Sequence, residues 1–408
     1  MMAPEFENPT LLMDYERLRA DGPVSWSEQN RAWMVTGYDE ADIVLRDADL
    51  FGTHAQRDRL TPERWDLLAA TFGGERALVL LPEPLHSRLV TQIRRRLTSL
   101  LPSYLPTRVI PVIDHFLDPY LAAGGGEFRS EVGAIIPTAV ICSVLGLPWD
   151  DRAQLLQWKE WDAVVVTLSS RMDVAEADTG RRAAAEVAAA LMPVILDRRE
   201  HPQDDFISVL WEIVPSVIPD CTPEDIAAQC RQLFLGGSHS TTFALSNAVA
   251  LLFSRPDLLE ELRENREQVD VFIDETLRVL GVLEQRPRVV ITDTELGGAQ
   301  LRAGDAVYVL LQAANRDPLW IPDPLTASLA PDHQKRHLAF GSGRKMCAGM
   351  ALAKAEVRHV IERMLDDADN PRIDTSRGEP VFVSESTATC WSPLHLAFDP
   401  ARGRELVS

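Results

Sequence analysis

The chain has 408 residues, with 61 acidic side chains against 41 Lys and Arg and a formal net charge of −20. That acidity argues against nucleic acid or an anionic membrane surface as partner and suits solubility. Its five cysteines, Cys142, Cys221, Cys230, Cys347 and Cys390, are odd in number and contain no CxxC pair. They fit neither a disulfide framework nor a zinc site, and they point to a reducing cytoplasm.

The first residues, Met1-Met2-Ala3-Pro4-Glu5-Phe6-Glu7-Asn8, are acidic and short of apolar side chains, unlike a signal peptide or membrane anchor. A helix is predicted over 14–19, a turn at Gly22-Pro23, two short alternating strands over 24–26 and 32–36, and a helix over 39–45. Residues 52–84, with Trp65, Phe72 and Gly73-Gly74, are expected to be irregular. From Leu85 onward helical periodicity dominates, and strand-like alternation returns only over 288–291, 306–311, 381–383 and 394–398. The fold class predicted is mainly α with small β-sheets. Neither a linker nor an internal repeat divides the chain.

Thr222-Pro223-Glu224-Asp225 announces a long helix, with an N-cap threonine, proline at the first position and acid in the first turn. It can run to Phe253, about 45 Å. Gly236-Gly237 in its middle, followed by Ser238, Ser240, Thr241 and Thr242, costs about 1 kcal/mol per glycine and favours local unwinding. Further on, Glu275 and Arg278 are three residues apart on a predicted helix, so they share a face and can pair.

The most specific stretch is Phe340-Gly341-Ser342-Gly343-Arg344-Lys345-Met346-Cys347-Ala348-Gly349. Two glycines make a tight turn, a helix-forming run follows the cysteine, and the helix dipole with Arg344 and Lys345 favours a thiolate. Phe340 offers an aromatic shield. A shielded thiolate with a free face is a haem axial ligand of the type that promotes O–O cleavage.

This loop resembles the haem-binding loop of the cytochrome P-450 family, F-G-x-G-x-x-x-C-x-G, at every fixed position. The resemblance runs from about residue 10 to 398. It implies one haem domain spanning 1–408, with the cytochrome P-450 fold and short flexible ends at about 1–9 and 400–408. It also implies haem b (iron protoporphyrin IX) as cofactor and Cys347 as the metal ligand, flanked by Phe340 and Gly341. Glu275 and Arg278 become the family's buried pair; its usual third member, an arginine, is missing, with Arg316 and Arg336 as candidates. Arg288 and His86 fall where propionate-binding residues are expected. The arginine that should follow His86 is Val90, which leaves Arg88 or Arg94 to reach instead. Lys345 stands where histidine is frequent and keeps the positive charge.

On the oxygen-binding side the family pattern is A/G-G-x-D/E-T. Aligned on Thr241 as the hydroxyl at dioxygen, it puts Ser240 in the place of the acid, and the ionisable His239 is expected to point away from the haem. The implied activity is that of a cytoplasmic, soluble bacterial monooxygenase. Its substrate is a small or medium organic molecule, such as an aromatic compound or natural-product intermediate. It uses O₂ and electrons from a separate ferredoxin or flavodoxin with its reductase, docking near Arg94–Arg96, Arg344 and Lys345. Two alternatives stay open: a peroxide-using or otherwise atypical oxidase without the acid–threonine relay, and a non-catalytic homologue that binds a ligand or carrier protein. Residues 52–84, 282–285 and the hairpin 385–391, with Ser384, Ser386, Thr387, Thr389 and Trp391, are expected at the substrate.

Overall fold

The computed structural model describes residues 9–53, 61–171, 177–385 and 388–400. The ends expected to be flexible lie mostly outside these residues, as do Ser386 and Thr387 of the hairpin and residues 54–60 of the expected irregular segment. The chain forms two compact units, one of residues 1–54, 243–347 and 361–404, the other of residues 55–242, 348–360 and 405–408.

The first unit carries a five-stranded sheet, in the order Val24–Ser27, Ala32–Val35, Ala306–Leu310, Gln285–Val290, Phe51–Thr53. All neighbours are antiparallel except Ala32–Val35 with Ala306–Leu310, which run parallel. The alternation that predicted four of these strands, all but Phe51–Thr53, has a structural cause: Val35, Val290, Val307 and Val309 are buried together with Phe51 and with Val44 and Leu45 of the helix Tyr38–Arg46. The helix Val269–Val279 buries Phe272, Ile273, Thr276 and Leu277. Val381–Glu385 and Ala388–Ser392 form a two-stranded antiparallel pair, and Ala368–Ile373 pairs antiparallel with His395–Pro400.

The second unit is helical. Residues 62–72, expected to be irregular, form the helix Pro62–Phe72. Thr61 caps it by accepting from Arg64 N at 3.4 Å, and Gly73 ends it at φ +92°, a conformation natural only to glycine. Trp65, Leu68 and Phe72 bury its inner face against Ala77, Leu80 and Ala228. Helices Leu85–Tyr104, Ile110–Ala122, Ile135–Leu145, Arg152–Arg171, Ala177–Glu200 and Phe206–Ile213 complete the unit. Every residue of Ile135–Leu145 is buried, as its all-round apolarity requires.

The long helix Pro223–Ser254 opens with reciprocal caps, Thr222 N donating to Asp225 Oδ2 at 2.9 Å and Asp225 N to Thr222 Oγ1 at 3.4 Å. The unwinding expected at its glycines does not occur; the helix is regular through 236–242. Gly237 lies so close to Ile141 that a Cβ there would come within 3.3 Å of that side chain. Ser240 and Thr242 each donate back to the carbonyl four residues earlier, which satisfies both hydroxyls inside the helix. Among the described residues, no helix is long and apolar enough to cross a membrane.

Candidate active site

The Cys347 loop is built from the turn chemistry its sequence prescribes. Gly341 and Gly343 adopt φ +73° and +69°, and a Cβ on Gly343 would stand 2.8 Å from Arg46 Cα. Cys347 N donates to Phe340 O at 2.9 Å, closing the loop three residues before the helix Met350–Asp367. Ser342 Oγ donates to Asp42 Oδ1 at 2.6 Å and accepts from Arg336 Nη2 at 2.7 Å and from Arg46 Nε at 3.1 Å. Cys347 itself is exposed, whereas Cys142, Cys230 and Cys390 are buried. The result is one open sulfur held on a braced loop.

Behind it lies the Glu275–Arg278 pair. Arg278 is fully buried and Glu275 is 3 % exposed. The guanidinium grips the carboxylate at two points, Nε to Oε1 at 2.7 Å and Nη2 to Oε2 at 2.9 Å. Its remaining donors go to the carbonyls of Pro324 at 2.7 Å, Thr326 at 2.8 Å and Asn315 at 3.3 Å. Glu275 Oε2 also accepts from Ser328 N at 3.1 Å. The pair therefore holds the segment leading to the cysteine loop. The side chain that approaches the pair from this segment is His333, whose Nδ1 lies 3.5 Å from Glu275 Oε2 without hydrogen bonding to it. Neither expected arginine takes that place. Arg316 Nε donates to Val279 O at 2.6 Å, and Arg336 reaches Ser342 and Asp42. Burial pushes the Arg316 pKa down to about 10, with Arg278 and Arg19 adding to the effect.

Arg288 lies on the strand Gln285–Val290, is 8 % exposed, and donates to Pro287 O at 2.9 Å. Burial, and then the charge of Arg286, lower its pKa to about 10. In the helical unit, His86 sits in the first turn of Leu85–Tyr104 with Nδ1 3.7 Å from Glu83 Oε1. Val90 is buried, and Arg88 is exposed and donates to Ser216 O at 3.1 Å. Lys345 is half-buried. Of the cations expected at a docking surface, Arg96 pairs with Glu212 at 2.6 Å and Arg344 with Asp49 at 2.7 Å, while Arg95 is exposed.

The hydroxyls of the long helix separate by face. Ser238 Oγ is 2.7 Å from Thr138 Oγ1, inside packing. Thr242 is buried and accepts from Lys159 Nζ at 3.3 Å. Sequence reading missed Lys159, because no motif marks a lysine on a separate helix, Arg152–Arg171. Thr241, expected to present its hydroxyl, is only 2 % exposed. Ser240 is half-buried and shares a face with Gly236, at which a Cβ would meet nothing within 4 Å. Its Oγ donates to Gly236 O at 2.8 Å. The accessible hydroxyl in this segment is therefore Ser240's. In the hairpin, Thr389 is buried and accepts from Gln312 Nε2 at 2.6 Å, and Ser384 donates to Glu284 Oε1 at 2.7 Å. The Thr389 hydroxyl is thus committed within the fold and not offered to a substrate.

The sequence profile described as Cytochrome P450 matches residues 178–367. The chain is 31 % identical to the cytochrome P450 monooxygenase PikC of Streptomyces venezuelae, covering 96 % of this chain and 91 % of that protein. It is 30 % identical to nocardicin C N-oxygenase of Nocardia uniformis subsp. tsuyamanensis, covering 86 % of each. Among solved structures, P450BioI in complex with a hexadec-9Z-enoic acid-ligated acyl carrier protein matches with a TM-score of 0.83 at 27 % identity, covering 96 % of this chain and 99 % of that one.

Proposed function

This chain belongs to the cytochrome P450 family, and from that premise we propose that it oxygenates a small or medium organic molecule of the natural-product kind. The enzyme is a monooxygenase and its cofactor is haem b. The electrons come from a separate ferredoxin or flavodoxin with its reductase. The substrate class is supported by the relatives, one of which is named for N-oxygenation of nocardicin C.

The residues present fit the cofactor: Cys347 has open surface, and Arg288 is a desolvated cation with no carboxylate bound to it among the described residues. Cys347 would hold the iron, and Arg288 and His86 would hold carboxylates. When bound, haem supplies the oxygen activation. Glu275 and Arg278 fix the segment that leads into the cysteine loop. The observation that carries the reading is this pairing of an open, braced thiol with the buried Glu275–Arg278 clamp.

The half-buried position of Ser240 supports a second frame for the oxygen-side pattern. Gly236-Gly237-Ser238-His239-Ser240 fits A/G-G-x-D/E-T with histidine in place of the acid and serine in place of the threonine. In that frame Ser240 Oγ, which donates to the Gly236 carbonyl at 2.8 Å, would be the hydroxyl that holds a proton on the oxygen-binding side.

The test is the spectrum of the reduced protein with carbon monoxide. A far-red-shifted Soret band is expected; an ordinary haem spectrum sinks the reading. Spin-state titrations with a library of natural products, followed by product analysis, then identify the substrate. A ligand that shifts the spin state but is never consumed with any redox partner would count against turnover.

A further inference from the structure

The strand Gln285–Val290 carries a second arginine. Arg286 and Arg288 are two residues apart, so their side chains leave the same face of the strand. In register they stand opposite Val309 and Val307, and Arg288 is also opposite Thr53 on its other side. None of these neighbours is an anion. Among the described residues, Arg288 donates only to the adjacent Pro287 carbonyl. Among the described residues, Arg286 has no hydrogen-bond or ion-pair partner.

Two like charges on one face of a strand repel each other, and desolvated charges are ordinarily paired. Here burial lowers both pKa values, and Arg286 lowers that of Arg288 further; the influence that raises Arg286 is Cys347. Arg288 is buried, whereas Arg286 keeps exposed surface. Among the described residues, the strand thus presents two guanidiniums on one face with no carboxylate bound to either.

We propose that Arg286 is a second carboxylate anchor of the cofactor site, binding a haem propionate alongside Arg288 and replacing the arginine that the chain lacks at Val90. The proposal rests on the cytochrome P450 reading. A guanidinium meets a carboxylate through two parallel N–H···O bonds, so one such contact relieves the charge that the strand leaves uncompensated. A substrate carboxylate has the same chemistry, and the experiment separates the two sources.

Haem release from wild-type, R286Q and R286K holoenzymes is followed as transfer to excess apomyoglobin. R286Q is expected to release haem about tenfold faster or more, the weight of one charge-assisted pair, with R286K in between. When the proteins are reconstituted with haem dimethyl ester, the difference should vanish. Equal release by wild type and R286Q overturns the proposal, as does a difference that persists with the ester. Palmitate and its methyl ester are titrated in parallel by spin shift. Loss of palmitate binding in R286Q with unchanged haem release assigns Arg286 to substrate and overturns it as well. If R286Q does not fold, R286K and the wild-type ester comparison decide. A wild-type protein without the thiolate-type spectrum would instead refute the family reading on which the proposal stands.

Discussion

At the scale of single residues, buried charge decides what can be changed. Glu275→Ala leaves the fully buried Arg278 without its bidentate partner. A destabilisation of about 3–5 kcal/mol is expected, read in urea unfolding and accompanied by lower haem content. Ser240 and Thr241 are predicted to behave oppositely to what their order in the family pattern first suggests. Ser240→Ala should lower product formed per NAD(P)H consumed and raise hydrogen peroxide release, since the accessible hydroxyl is lost. Thr241→Ala, at a 2 % exposed position, should change stability more than coupling. The reverse result would return the oxygen-side role to Thr241. Glu356 is buried, its Oε2 has no hydrogen-bond partner among the described residues, and burial holds its pKa well above the ordinary 4.5. The folded state then binds a proton that the unfolded state releases. Its contribution is present at low pH and falls as pH rises above about 4.5 toward the folded value. Glu356→Gln should flatten that part of the stability–pH curve, and an unchanged curve would show that Glu356 is ionised in the native protein.

At the scale of elements, local signals were legible where the chain supplies both partners within a few residues. Thr222 and Asp225 cap each other as their spacing predicts, and Gly341 and Gly343 take the positive φ that the turn demands. Gly343→Ala combines backbone strain at φ +69° with a 2.8 Å approach to the Arg46 backbone. A cost of about 1–3 kcal/mol is expected, with a weakened thiolate-type spectrum. Normal spectra and stability in that variant would show that the loop can shift without loss. The glycine pair in the long helix was misread as a site of unwinding because propensity counts only local cost. The reason for Gly237 is Ile141, on another helix, and no sequence window contains both. Helix Pro62–Phe72 was missed for a related cause: its stability comes from burying Trp65, Leu68 and Phe72 against Leu80 and Ala228, and its helical period is weak.

Across the whole molecule, the fold sorts the five cysteines by chemistry. Cys142 and Cys230 are fully buried, and burial pushes both thiols far up, out of reach of reaction; Cys390 is buried too. Labelling of the haem-free protein by a thiol reagent, followed by peptide mass spectrometry, should modify Cys347 first, then the half-buried Cys221. Haem should protect Cys347 alone. Protection of another cysteine would move the ligand assignment. By itself the sequence determined the mainly α class, the Cys347 loop and the Glu275–Arg278 pair, because each is written in spacing along one short segment. Tertiary structure decided which groups answer them. His333, and not a second arginine, approaches Glu275; Ser240, and not Thr241, keeps open surface; and Arg286, with no carboxylate partner among the described residues, shares a strand face with Arg288. These choices depend on burial and on partners brought from distant segments, and one-dimensional spacing carries neither.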